Sequence, residues 1–110
     1  MRPNPAAGAA VAGTIDTAAF LAQNPSLFRT APGRAWGSVG FAALWATVAA
    51  RSAIEGDHAD PPTAAMAAAL AAASGAMLAV HLRHHITSPR VYAGAALSAV
   101  VLGDTLRRLG

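Results

Sequence analysis

Long apolar segments alternate with short polar turns after residue 34. The first segment has sixteen consecutive uncharged residues between Arg34 and Arg51, and the second has twenty from Pro61 to Val80. A helix needs about 20 apolar residues to cross the hydrocarbon core of a bilayer. The Arg51 side chain can reach back to the headgroups, which extends the first segment by a turn. The pattern therefore predicts transmembrane helices at about 35–54 and 62–81.

A third apolar run extends from Val91 to Gly103 and ends at Asp104. Its thirteen residues are short for a span, although Leu106 lies just beyond them. A run of this length suits either a crossing helix or a re-entrant or interfacial segment. The sequence favours a third span at about 91–106 and leaves the second possibility open.

Residues 1–33 differ from the rest because they contain four prolines and an apolar stretch, 6–22, that Asp16 interrupts. The single Arg2 before this stretch is a poor match to the basic start of a signal peptide. We expect a mainly irregular leader with a short helix on the membrane surface. Asp16 is expected to cap a helix or turn. The chain then divides into this leader and a transmembrane helical domain, 34–110.

These segments predict an all-α fold, a small integral membrane bundle with two to three transmembrane helices and an interfacial or irregular N-terminal segment. Composition agrees, because 55% of the residues are hydrophobic and only 12% are charged. Soluble domains carry about 25% charged residues. A water-soluble alanine-rich bundle is the alternative. It is disfavoured because a helix that is apolar all round needs lipid or complete burial, which 110 residues provide poorly.

The eight basic residues are all arginine, and their placement predicts an orientation. If three segments cross, one side holds Arg2, Arg29, Arg34, Arg83 and Arg90, and the other holds Arg51, Arg107 and Arg108. The positive-inside rule then puts the N-terminus in the cytoplasm. The alanine, glycine, proline and arginine bias would follow from a GC-rich genome and carries no functional weight. With two to three predicted spans, we expect a multi-pass protein of a bacterial inner membrane.

The same arginines argue against nucleic acid as a partner. Nucleic-acid-binding proteins cluster basic residues on one face and often interleave aromatic side chains. Here the arginines are scattered or flank apolar runs, and the net charge is only +3. The expected partners are membrane lipids and either a larger membrane-protein assembly or further copies of this chain.

Small residues recur at four-residue spacing along each predicted span. Such spacing lets helix backbones approach closely, and in lipid this packing replaces the hydrophobic driving force. We predict a helix-packing interface at Ser38, Ala42, Ala46, Ala67, Ala71, Gly75, Ala95, Ala99 and Gly103. These residues either join the helices of this chain to one another or receive a partner subunit.

Candidate chemistry is sparse. His81 and His85 are weak metal-ligand candidates, because two imidazoles without a third ligand make an open site. Asp104 precedes Arg107 and Arg108 at the spacing of a helical ion pair, which we favour over a proton-carrying role. No pattern indicates a nucleophile with its base or a cofactor site, so no enzyme and no cofactor are predicted.

The leading functional hypothesis is a non-catalytic accessory or structural subunit of a larger bacterial inner-membrane complex, respiratory or transport in kind. It rests on the small-faced, alanine-rich spans, which contribute little insertion energy individually. Two alternatives remain open. One is a holin-like pore-forming small membrane protein, and the other is a small oligomeric transporter that uses Asp104.

Overall fold

The computed structural model describes residues 4–85 and 88–109, and this part of the chain is all-α apart from one isolated bridge. Four long helices carry the fold, and a single short turn of helix, α2, links the first two of them. The helices are α1 (Pro5–Gln23), α2 (Leu27–Thr30), α3 (Pro32–Glu55), α4 (Pro61–Arg83) and α5 (Pro89–Arg108).

Each long helix starts with a proline as its first residue: Pro5, Pro32, Pro61 and Pro89. Proline suits this position because its fixed φ is helical and its missing N–H would have no partner there. The Asn4 side chain adds a cap to α1, accepting a hydrogen bond from the Ala7 N–H at 3.2 Å. Gly56 ends α3 at a φ of 65°, which glycine adopts without strain. Helix boundaries therefore follow from local chemistry.

Contacts between helix ends show that the four long helices run alternately up and down. Asn4 Nδ2 donates to the Ser52 carbonyl at 2.8 Å, which places the start of α1 at the end of α3. The Ala6 N–H donates to Asp104, which places the end of α5 there too. The result is an antiparallel four-helix bundle. Its longest dimension is 43 Å, close to the ~40–45 Å of a bilayer with its headgroups.

Three of these helices, α1, α3 and α4, are long and apolar enough to cross a membrane. The predicted all-α membrane bundle is therefore confirmed, and α3 and α4 coincide with the first two predicted spans. The third apolar run forms α5, which falls outside that set because it includes four charged residues near its ends. Since α5 packs along both α1 and α4, it lies at the same depth in the membrane as these two helices.

The N-terminal segment differs from the irregular leader that we expected. Residues 5–23 form α1, which lies inside the bundle against α3 and α5. Its inner face is lined by small buried residues, among them Ala6, Ala10 and Gly13, so the neighbouring backbones approach closely. Asp16 lies in the interior of this helix rather than at a cap. Arg2 lies outside the described residues.

This position of α1 separates the start of the helix from the four arginines that the sequence analysis placed on the same side as the N-terminus. The start of α1 lies at what we call the ion-pair end, with Arg51, Glu55, Asp104 and Arg108. At the opposite end, which we call the basic end, are Arg29, Arg34, Arg83 and Arg90. The start of α1 and the end of α4 therefore lie at opposite ends of the bundle.

The hydrophobic core fills the middle of the bundle and its half towards the ion-pair end. Its buried members are Ala9, Ala10, Trp45, Val48, Ala49, Ala67, Leu70 and Val101. Trp45 is the largest and is 1% exposed. It lies directly against Gly13 of α1, where an added Cβ would overlap the indole ring. Glycine is therefore required for α1 and α3 to close around this tryptophan.

Candidate functional site

Asp104 lies at the centre of a polar network at the ion-pair end. Its carboxylate accepts hydrogen bonds from Arg107 Nη2 at 2.5 Å and from Arg108 Nε at 3.0 Å. It also accepts the Ala6 N–H at 3.3 Å, in the first turn of α1. A carboxylate at this position compensates the positive end of the helix dipole. The ion pair predicted from the sequence is present, and it also joins α5 to α1.

Arg108 makes this network a buried one. Asp104 and Arg108 are each 8% exposed, so this ion pair is removed from solvent. The Arg108 guanidinium also donates to the Gly56 carbonyl at 2.7 Å, and its backbone carbonyl accepts the Ala59 N–H. Asp104 therefore joins α1 to α5, and Arg108 extends this network to the turn after α3. This geometry favours a structural role over proton transfer.

A second group of contacts joins α3 to α4 at the same end. Arg51 Nε donates to Thr63 Oγ1 at 2.8 Å, and that hydroxyl donates to Glu55 Oε2 at 2.5 Å. Arg51 also lies 3.6 Å from the Glu55 carboxylate. With the Asp104 network, these contacts tie all four long helices together, so this end of the bundle is closed.

The other half of the bundle encloses a cavity of about 370 Å³, which we call the bundle cavity. All four long helices line it. Its inner part is aromatic and apolar, with Phe41, Trp45 and Met77, and its outer part reaches Arg34 and Arg90 at the basic end. Known small-molecule sites enclose about 300–1,000 Å³. The bundle cavity is therefore large enough for a small organic ligand.

An ion pair between distant parts of the chain forms one wall of the bundle cavity. Arg90 Nε lies 3.2 Å from Asp16 Oδ1, which joins α5 to α1. The Arg90 guanidinium also lies 5.4 Å from the Phe20 ring centroid, and Arg34 lies 5.9 Å from it. The sequence analysis missed this wall. An acid inside an apolar helix signals a partner on a neighbouring helix, but sequence cannot identify which arginine that partner is.

Ser74 lies deeper in the bundle cavity. It is 2% exposed, and its hydroxyl has no hydrogen-bond partner. Two other cavity hydroxyls, those of Thr17 and Ser38, donate to carbonyls one turn earlier in their own helices. Buried polar groups are almost always paired, so an unpaired one at a cavity wall calls for an explanation.

The two predicted metal-ligand candidates are not brought together on one helix face. His81 lines the bundle cavity, and its Nδ1 donates to the Met77 carbonyl at 2.8 Å. His85 lies beyond the end of α4, is exposed and has a φ of 56°. Within residues 4–85 and 88–109, no three histidine, cysteine, aspartate or glutamate side chains are grouped as a metal site.

Most of the small residues predicted for helix packing lie outside the core. Of the nine, Ala67 is buried and the others are partly or fully exposed. Five of them line a shallow surface groove of about 320 Å³, which we call the α4–α5 groove: Ala71, Gly75, Ala95, Ala99 and Gly103. Leu102 and Leu106 form its apolar edge. Within the groove, a Cβ added to Gly75 or Gly103 would meet no atom within 4 Å.

Comparison with known proteins adds no relative to this description. No protein-family model, curated protein or solved structure matches the chain.

Proposed function

We propose that the chain is a non-catalytic subunit of a larger membrane-protein assembly, and that the α4–α5 groove receives a transmembrane helix of a partner subunit. The observation that carries this proposal is the exposure of the small-residue rows of α4 and α5, which converge on one outward groove. Small residues on a lipid-facing surface let a second helix approach closely. From Ala95 to Leu106 the groove extends over about three helical turns.

The composition of the groove favours a partner helix over a lipid chain as its occupant. Gly75, Ala99 and Gly103 leave backbone exposed on two adjacent helices. A flexible acyl chain gains little from such a surface, whereas a rigid helix gains close van der Waals contact along its length. The transporter alternative loses support because Asp104 is held by two arginines and a backbone N–H.

Leucine in the groove is expected to displace the partner. The tagged full-length chain would be expressed at its natural level in its native host, extracted in mild detergent and sized. A photo-crosslinking residue at Ala99 would capture the partner. Overpacking a contact costs about 1–3 kcal/mol. Gly103→Leu should therefore lower recovery of one stoichiometric membrane partner by about tenfold or more.

Gly40→Leu is the matched control, because Gly40 is also exposed within a long helix and has open space for a side chain. It lies on α3, away from the groove, and should leave recovery of the partner unchanged. Recovery of the unmodified chain alone would overturn the proposal. Recovery of the chain as a homo-oligomer would favour the holin-like pore instead.

We also propose that this assembly lies in a bacterial inner membrane with the basic end in the cytoplasm. Among the described residues, Arg29, Arg34 and Arg83 form no ion pair, whereas Arg51 and Arg108 at the other end pair with carboxylates. The anionic cytoplasmic leaflet attracts uncompensated basic residues. The start of α1 then lies on the side away from the cytoplasm. The sequence analysis expected a cytoplasmic N-terminus, because it assumed that residues 1–33 do not cross the membrane.

Single cysteines test this orientation cleanly because the chain has none of its own. Ser26→Cys marks the basic end and His58→Cys marks the ion-pair end, and both positions are exposed. A membrane-impermeant maleimide applied to intact spheroplasts should label the cysteine at 58 and reach the one at 26 only after permeabilisation. The opposite labelling pattern would restore a cytoplasmic N-terminus.

A further inference from the structure

The bundle cavity is independent of the α4–α5 groove, because the two share no lining residue. It communicates with the surface beside Arg34, Gly37 and Met77, which are exposed. Towards the middle of the bundle it ends against Trp45, at the edge of the core. From the level of His81 to that of Ser74, seven residues of α4 correspond to a depth of about 10 Å.

Charge at the outer part of the bundle cavity is positive. Two arginines, Arg34 and Arg90, face a single carboxylate, Asp16. That carboxylate pairs with Arg90, which leaves the Arg34 guanidinium without a carboxylate partner among the described residues. A guanidinium presents several N–H donors to a carboxylate or phosphate. The outer part therefore suits an anionic group.

The inner part of the bundle cavity suits an apolar body with one polar atom. Phe41, Trp45 and Met77 present aromatic and thioether surfaces. The Ser74 hydroxyl is buried among the cavity-lining residues with no partner of its own. A ligand hydroxyl or carbonyl at this depth would complete its hydrogen bonding.

We propose that the bundle cavity binds an amphiphilic organic anion, with its acid group on Arg34 and Arg90, its apolar body along Phe41 and Trp45, and a hydroxyl or carbonyl on Ser74. The ligand enters at the level of the headgroups, where the arginines lie, and its body extends into the bundle.

Three probes separate the parts of this proposal. The first is ω-hydroxydecanoate, which has an acid group at one end and a hydroxyl at the other. Decanoate lacks the hydroxyl, and a decanediol with a hydroxyl at each end lacks the acid. Each is titrated calorimetrically at neutral pH into the full chain in phosphatidylcholine nanodiscs, with empty nanodiscs as the blank. In a Trp36→Phe background, Trp45 remains as the only tryptophan and reports occupancy by its fluorescence.

Saturable one-to-one binding of ω-hydroxydecanoate with a change in Trp45 fluorescence is expected. Arg34→Gln should weaken the two acids by about 10-fold and leave the diol unchanged, because it removes one charge-assisted hydrogen bond. Ser74→Ala should weaken ω-hydroxydecanoate by about 5-fold and leave decanoate unchanged, because only the former reaches this hydroxyl.

Cavity-filling variants show whether binding occurs inside the bundle. Gly37→Leu places a side chain at the cavity wall, where open space receives it, and should abolish binding. Gly94→Leu does the same from α5. Gly40→Leu, outside the cavity, should bind as the unmodified chain does. Thermal unfolding of each variant verifies that it folds.

Two results would overturn the proposal. One is heat no greater than that of empty nanodiscs. The other is equal binding by the unmodified chain and both cavity-filling variants, which would mean that the probes only partition into lipid. Repeating the titration in phosphatidylglycerol nanodiscs identifies the natural source of the anion. Weaker binding of the probes in phosphatidylglycerol would show that this lipid competes for the cavity and would indicate a membrane lipid as the natural ligand. Unchanged binding would indicate a free acid.

Discussion

Replacing Asp104 by asparagine is expected to lower the free energy of unfolding by about 3–5 kcal/mol, the usual effect of breaking a buried ion pair from one side. Arg108 is buried and has one guanidinium nitrogen, Nη2, already without a partner. Asparagine keeps the shape of the side chain but leaves this guanidinium uncompensated. It also removes the negative charge at the start of α1, next to the Ala6 N–H.

The measurement is equilibrium unfolding in mixed detergent–SDS micelles, with Asp16→Asn as the matched control. The Asp16–Arg90 pair is about one-third exposed on each side, so its loss should cost about 1 kcal/mol or less. The double variant Asp104→Asn, Arg108→Met should be more stable than Asp104→Asn, because it removes the uncompensated charge. Unaltered stability of Asp104→Asn, together with loss of a proton-coupled transport activity, would restore the transporter alternative.

Truncating Trp45 to alanine is expected to destabilise the bundle by about 3 kcal/mol. This destabilisation is at the low end of the values for tryptophan in the cores of soluble proteins. In a membrane, burying the indole does not remove it from water, so the hydrophobic contribution is absent. What remains is the loss of contacts around the indole, which lies against Gly13 of α1 and edge-on to Phe41 at 5.7 Å between ring centroids. The cavity left behind would merge with the bundle cavity, whose inner wall is Trp45.

Trp36→Ala is the control for this prediction. Trp36 is 64% exposed, and its described aromatic contact is an edge-on approach to Phe28 at 5.2 Å. The same truncation there should change the unfolding free energy by roughly 0.5 kcal/mol or less. Equal effects at the two positions would mean that α1 does not close on α3 in the membrane.

The extents of α3, α4 and α5 were largely predictable, because they depend on neighbours in the chain. Uncharged runs predicted the interiors at about 35–54, 62–81 and 91–106. The structure extends each helix back to a proline, at 32, 61 and 89. The Asp104 ion pair was predictable for the same reason, since its partners lie three and four residues away. What spacing could not show was that this pair is buried and contacts α1.

The role of α1 was not predictable from its pattern. When no partner is known, an acidic residue in the middle of an apolar stretch indicates an interrupted helix. In the structure, Asp16 forms an ion pair with Arg90 of α5. Glycine weakens an isolated helix, yet Gly13 is what allows α1 to approach Trp45. Both features become favourable only when another helix is in place.

The candidate sites, too, combine features that the sequence showed with features that only the packing of the helices decided. Small residues at four-residue spacing were visible along the predicted spans, but in an alanine-rich chain such rows occur on every face of a helix. Their burial or exposure depends on which helices are neighbours. The bundle places Ala67 in the core and leaves Ala99 and Gly103 in an outward groove. The bundle cavity was invisible in the sequence because each helix contributes only a few of its lining residues.

Local chain chemistry thus accounts for the all-α class, the membrane setting and the helix ends. Each of these depends on the length of an apolar run or on the residue that caps it. The number of helices in the bundle, the separation of its two ends and the position of both candidate sites depend on contacts between residues far apart in sequence. The Ala6–Asp104 hydrogen bond, for example, joins positions 98 residues apart. Such contacts are selected by the packing of whole helices, which no local pattern encodes.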